Sequence, residues 1–207
     1  MSQYFEIHPV TPQPRLLKQA VEILRNGGVI VYPTDSTYAL ACRIGDKPAL
    51  ERIRAIRRLD DRHNFTLACL DLSDISRYAK VDNRAYRTLK AHTPGPYTFI
   101  LMATREVPRI LQHPKRKTIG IRVPEHAVAR ALLNELGEPL MTTSLLLPED
   151  DLPLTDPDDI RERLDKQVDA IVASGTCGLE PSTVIDLSGD EPIVVRRGLG
   201  DASLFEG

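Results

Sequence analysis

Tryptophan is absent from this 207-residue chain, and Phe, Trp and Tyr together make up only 5% of it. So small an aromatic supply argues against the base-stacking platform that holds single-stranded nucleic acid. Cysteine is equally scarce. Cys42, Cys69 and Cys177 are odd in number, far apart and without CxxC spacing, which fits reduced thiols in a cytosolic protein better than a disulfide framework. Cys42 and Cys69 sit in apolar, strand-like contexts and read as core thiols rather than nucleophiles. No apolar run approaches the ~20 residues of a membrane span, and Met1 to Pro14 carries no basic-then-apolar export signal. A cytoplasmic protein with no membrane partner is expected. His8, His63, His92, His113 and His126 are scattered without zinc-ligand spacing, so no metal held by protein groups alone is expected. Neither GxGxxG nor GxxxxGK[ST] occurs, which removes the two commonest phosphate cradles.

What the chain does have is charge, unevenly placed. Lys and Arg total 27 against 29 Asp and Glu. Yet the middle is rich in Arg (Arg52, Arg54, Arg57, Arg58, Arg62, then Lys115, Arg116, Lys117 and Arg122), while the stretch from Glu149 to Asp165 is acidic. Such asymmetry can build a positive face for polyphosphate within an acidic whole. The same charges read equally as the ordinary solvation of helix faces.

Periodicity points to an α/β protein. Leu16, Leu17, Ala20, Val21 and Leu24 recur at helical spacing and are stopped by Asn26-Gly27-Gly28; Val29 to Tyr32 then reads as a strand. Pro48 to Arg58, Asn83 to Ala91 and Ala127 to Leu136 read as further helices, and Asp156-Pro157 as the start of another. Strands are expected at Phe65–Leu70, Tyr97–Met102, Thr118–Val123, Pro139–Ser144, Val168–Val172, Thr183–Leu187 and Ile193–Val195. The short link between the last two favours an antiparallel hairpin, hence a mixed sheet. No repeat or linker divides the chain, so one domain over residues 1–207 is expected. Asp60-Asp61 and Asp158-Asp159 read as solvated loop or cap positions rather than an acid/base dyad.

The segments Tyr32-Pro33-Thr34-Asp35, Pro94-Gly95-Pro96-Tyr97-Thr98, Gly120-Ile121-Arg122-Val123-Pro124, Thr142-Thr143-Ser144 and Pro181-Ser182-Thr183-Val184-Ile185-Asp186 are each too short to be specific. Together, in this order and spacing, they resemble the YrdC/YciO family of threonylcarbamoyl-adenylate synthases and their relatives. The version Arg62-His63-Asn64-Phe65-Thr66 is more similar to the YciO branch than to the synthases. The resemblance implies a twisted mixed sheet with flanking helices and a concave basic pocket. It also implies a reaction in which threonine, bicarbonate and ATP, with Mg²⁺, give threonylcarbamoyl-AMP and pyrophosphate for modification of a tRNA adenosine.

By family position, Thr34, Arg122, Thr142 and Ser182 are candidates for the threonine–carbamate end of the pocket. Arg57, Thr118, Ser144 and Arg196 are candidates for the nucleotide end. Each has a plainer reading: Thr34 and Ser182 as turn residues, Arg122 as an outward strand residue, Ser144 as a local cap, Arg196 as a solvated cation. Where the synthases pair Lys-x-Arg with Ser-x-Asn, this chain has Arg57-Arg58-Leu59 and Ser144-Leu145-Leu146. Each lost charge-assisted phosphate contact is worth about 1.5–3 kcal/mol. The alternative is therefore a weakened paralogue whose basic surface (Arg54, Arg58, Arg62, Lys115, Arg116, Lys117) binds double-stranded RNA or tRNA, with a steep salt dependence.

Overall fold

The computed structural model describes residues 1–60 and 63–206. In chain order these form β1 (Gln3–Glu6), α1 (Pro14–Arg25), β2 (Ile30–Tyr32), β3 (Ala39–Arg43), α2 (Lys47–Arg57), β4 (Thr66–Ala68), α3 (Leu72–Tyr78), α4 (Asn83–His92), β5 (Tyr97–Met102), β6 (Thr118–Arg122), α5 (Ala127–Leu136), β7 (Leu140–Ser144), α6 (Pro157–Leu164), β8 (Ala170–Ala173), β9 (Thr183–Asp186) and β10 (Ile193–Arg196). The strands make one ten-stranded sheet in the order β1-β8-β2-β3-β7-β4-β6-β5-β9-β10. β1, β8 and β2 run parallel, as do β4 with β6 and β5 with β9; β2–β3, β3–β7, β4–β7, β5–β6 and β9–β10 are antiparallel. The sheet is mixed, and its last two strands are the expected hairpin.

Period-2 alternation sorts the strand residues onto two faces. Val31, Leu40, Cys42, Leu67, Phe99, Leu101, Ile119, Ile121, Met141 and Ile185 point to one face, where they pack with Ala49, Leu50 and Ile53 of α2, Ile75 and Tyr78 of α3, Ala85 and Leu89 of α4, and Ile160 and Leu164 of α6. Ile30, Tyr32, Ala39, Ala41, Ala68 and Leu140 point to the other face, beneath Leu17, Ala20, Val21 and Leu24 of α1 and Val128, Ala129, Leu132, Leu133 and Leu136 of α5. A sheet buried on both sides explains why its middle strands carry so little polar alternation.

On the second face the apolar cover stops short. Further along β4, β5, β6, β7 and β9 the same alternation places Thr66, Thr98, Thr118, Gly120, Arg122, Thr142, Ser144 and Val184 where aliphatic side chains would be needed to seat a helix. These residues instead floor an open hollow. Neighbouring strands align them laterally: Thr142 is opposite Thr66, Thr66 opposite Gly120, Gly120 opposite Ile100, and Thr98 opposite Val184. A Cβ at Gly120 would stand 3.0 Å from Thr66 Oγ1 and 3.4 Å from Thr98 Cγ2, so the glycine keeps the floor low between two threonines.

Three elements lie outside the sequence expectations, and some boundaries move by a few residues. β1 buries only Phe5 fully and is an edge strand defined by its parallel partner β8. β3 is Ala-Leu-Ala-Cys-Arg, without β-branched residues, and it is a strand because β2 and β7 pair with it on either side. α3 spans seven residues, too few for a periodic signal, and is held by Asp71, whose carboxylate accepts from the backbone N–H groups of Ser73 and Asp74. No described helix is long and apolar enough to cross a membrane.

Candidate functional site: a guanidinium- and hydroxyl-lined hollow

The hollow has a volume of about 570 Å³, within the range of small-molecule and cofactor sites. Seven of the eight residues assigned to the two ends by resemblance line it: Arg57, Thr118, Arg122, Thr142, Ser144, Ser182 and Arg196. They come from α2, β6, β7, β10 and the loop before β9. Thr34 stands one step back. Its hydroxyl donates to the Thr37 carbonyl at 2.6 Å and accepts from the Ser36 N–H at 3.2 Å. That is turn chemistry, but it also shapes the loop that holds Arg122.

Arg122 is 7% exposed. One terminal nitrogen donates to Ser36 Oγ at 3.1 Å and the other to the Asp35 carboxylate. Asp35 in turn accepts from the Glu125 N–H at 3.0 Å. The third nitrogen, Nε, is buried with no hydrogen-bond partner. Arg57 is similar. As the last residue of α2 it donates from Nη1 to Thr143 Oγ1 at 3.2 Å and to the Ser144 carbonyl, while its Nε is buried and unpartnered. An unsatisfied buried N–H costs about 1–3 kcal/mol, and both of these belong to guanidinium groups that line the hollow. Arg196 spans the Ser182 carbonyl, at 2.8 Å from Nη2 and 3.3 Å from Nε. Ser182 Oγ lies 2.8 Å from Thr98 Oγ1, and the Thr142 hydroxyl accepts from Tyr32 at 3.1 Å and donates to the Leu40 carbonyl at 3.1 Å.

Electrostatically the hollow is cationic. Desolvation lowers the pKa of Arg57; desolvation and then the charge of Arg122 lower that of Arg196. Both arginines stay charged at neutral pH, and an anion would relieve their burial. His63, which lines the wall, has its pKa pushed down by desolvation and then by Arg57. Its Nε2 lies 3.2 Å from Thr143 Oγ1. That hydroxyl also accepts from Arg57 Nη1, so it links the imidazole to the guanidinium. Among the described lining residues Asp151 is the single carboxylate, and no group of three or more His, Cys, Asp or Glu converges on a metal position. A Mg²⁺ ion would therefore be held mainly by a ligand's phosphates.

His63, Thr143, Asp35, Ser36 and Gly120 escaped assignment in the sequence. Asp35, Thr143 and Gly120 lie inside quoted segments and Ser36 directly follows one, so adjacency was the available signal. Leu59 packs against the core, whereas Leu146 lines the hollow. The basic-surface candidates each have their own surroundings. Arg54 pairs with Glu51 and lies over the Phe65 ring, and Arg58 pairs with Glu149. Arg116 faces the hollow and pairs with Asp186, and Lys117 donates to the Pro114 carbonyl. Lys115 is exposed, and Arg62 lies outside the described residues. The thiols of Cys42 and Cys69 are buried.

Residues 22–198 match the Sua5/YciO/YrdC family profile, which carries the description "telomere recombination". The YciO protein of Escherichia coli K12 is 60% identical over 99% of this chain and 100% of its own length, and its crystal structure superposes with a TM-score of 0.95. A threonylcarbamoyl-AMP synthase of Chromobacterium violaceum is 39% identical over 137 residues, covering 66% of this chain and 70% of that one. A Pyrococcus abyssi Sua5 structure complexed with L-threonine shares the fold, with a TM-score of 0.88 at 22% identity over 95% of this chain and 58% of its own. The chain belongs to the Sua5/YciO/YrdC family, with the YciO protein at 60% identity and the threonylcarbamoyl-AMP synthases as more distant relatives.

Proposed function

We propose that the hollow binds an adenylate and handles the acyl–phosphate bond of threonylcarbamoyl-AMP, the chemistry named for its synthase relatives. The observation that carries this reading is the convergence of Arg57, Arg122 and Arg196 with the hydroxyls of Thr118, Thr142, Ser144 and Ser182 on one hollow. Arg122 and the hydroxyls of Thr142 and Ser182 take the threonine–carbamate end. Arg57, Arg196, Thr118 and Ser144 take the nucleotide end. In the forward direction a carbamate oxygen attacks the α-phosphorus of ATP, the bond from that phosphorus to the bridging oxygen breaks, and pyrophosphate leaves with the electron pair. Arg57 and Arg196 offset the developing charge, and Mg²⁺ held by the phosphates would add to this neutralisation. The residues move no proton in this step; they position and neutralise. A hollow with apolar walls also limits hydrolysis of carbamate and adenylate.

The test is mass spectrometry of the nucleotide product formed from ATP, bicarbonate and isotopically labelled threonine, beside a reaction lacking threonine. Labelled threonylcarbamoyl-AMP, reduced at least tenfold in Arg196→Gln and Ser182→Ala, is expected. Equal product from both variants and the parent would overturn the site assignment.

A further inference from the structure

The charges around the hollow go beyond a generic nucleotide site. Four arginines face it: Arg57, Arg116, Arg122 and Arg196. Two are already neutralised by protein carboxylates, Arg122 by Asp35 with both side chains buried, and Arg116 by Asp186. Arg57 and Arg196 bond only to hydroxyls and carbonyls among the described residues. Among the described residues no lysine lines the hollow, and Asp151 adds one negative charge at its rim. Among the described residues these two cations, less the exposed Asp151, leave a surplus of one to two positive charges. A phosphate monoester dianion matches it, as does an acyl-adenylate with one phosphate charge and one carboxylate. The triphosphate of ATP brings about four negative charges, or two with Mg²⁺ bound, so discrimination against the magnesium form rests on the wall of the hollow.

Beside Arg57 the wall turns apolar. Ser144, whose carbonyl Arg57 grips, is followed two residues later by Leu146, and the wall continues through Leu152, Pro153 and Leu179. Leu152 and Leu179 are 59% and 48% exposed, and their side chains offer no donors to further phosphates. Phosphates lying along this wall lose water and gain no side-chain donor in its place.

Building on the adenylate reading, we propose that this hollow selects ligands with a single phosphate, AMP or an acyl-adenylate, over ATP. Leu146 and its apolar neighbours impose the discrimination. The protein is thereby suited to receiving or breaking down an acyl-adenylate more than to making one from ATP.

Isothermal titration of AMP, of ATP and of ATP with Mg²⁺ into the wild-type protein and Leu146→Asn tests this, with thermal melting to confirm that the variant folds. AMP is expected to bind the wild type at least tenfold more tightly than either form of ATP, and Leu146→Asn to reduce that ratio at least threefold. ATP binding as tightly as AMP would overturn the selectivity while leaving the nucleotide site standing. No binding of any nucleotide at millimolar concentration would remove the adenylate reading itself. Should the variant fail to fold, Leu179→Asn on the opposite loop serves in its place. An unmoved ratio in whichever variant folds overturns the role of the apolar wall.

Discussion

Arg122 and Asp35, 87 residues apart in the chain, form an ion pair in which both side chains are less than 10% exposed. Asp35 is in effect a tether. It occupies one end of the guanidinium, Ser36 occupies a second nitrogen, and the buried Nε is left over. The loop after β2 thereby aims a β6 side chain that β6 alone would leave free to choose rotamers.

Breaking that pair from one side leaves a buried charge without its partner, which costs about 3–5 kcal/mol. Arg122→Met is expected to lose stability on this scale in urea unfolding. The double variant Asp35→Asn/Arg122→Met should recover part of the loss, because neither charge then remains. Equal stability of single and double variants would contradict the tether.

Gly198 lies where β10 leaves the sheet, and its N–H donates to Thr183 Oγ1 at 3.0 Å. A Cβ there would sit 2.2 Å from the Pro181 carbonyl oxygen and 2.8 Å from that of Ser182. These are backbone atoms and cannot rotate aside. Gly198→Ala is expected to cost about 1–3 kcal/mol and to weaken ligand binding, since the Ser182 segment is what must move. A fully stable variant with unchanged affinity would show that the contact is not structural.

Acid should destabilise the protein through His63 and His126. Burial, aided for His63 by Arg57, lowers both pKa values in the folded state. Below the ordinary value near 6.5 the unfolded chain therefore binds more protons, and stability falls as pH falls. Urea midpoints measured from pH 7.5 to 5 should show this slope, and it should be shallower in His63→Gln. A slope unchanged by that substitution would assign the effect elsewhere.

Alkali acts through the thiols. Burial pushes Cys42 up to about 12 and Cys177 up to about 11, against an unfolded value near 9. Between those limits the folded state keeps protons that the unfolded chain has lost, so stability declines as pH rises above about 9. The same shift makes Cys177 a poor nucleophile: alkylation by iodoacetamide at pH 8 is expected to be about 100-fold slower than in the urea-unfolded chain. Comparable rates would show that the thiol is not held as described.

Much of this was legible in the sequence because local chemistry and tertiary demand agreed. The helix stopped by Asn26-Gly27, the helix closed by Gly137 and the β9–β10 hairpin all carry their own punctuation. β3 was not legible, because alanines become a strand only when β2 and β7 supply partners. The hollow was half legible. The alternation Ile119–Thr118–Gly120–Arg122 shows that β6 has a polar face, but which face α1 and α5 leave uncovered is decided by their packing on the other strands. Thr34 marks the limit of motif reasoning: it belongs to a quoted segment, yet its hydroxyl is spent inside its own loop.

Arg57 and Arg122 each line the hollow and each keep a buried Nε–H with no partner. The ¹H–¹⁵N resonances of these two groups, assigned by Arg57→Lys and Arg122→Lys, can be followed while AMP and L-threonine are added together. Both signals should move downfield and saturate with ligand, as buried N–H groups gain charged acceptors. Two signals that stay fixed at millimolar ligand in the folded protein would contradict the assignment of this hollow to an adenylate.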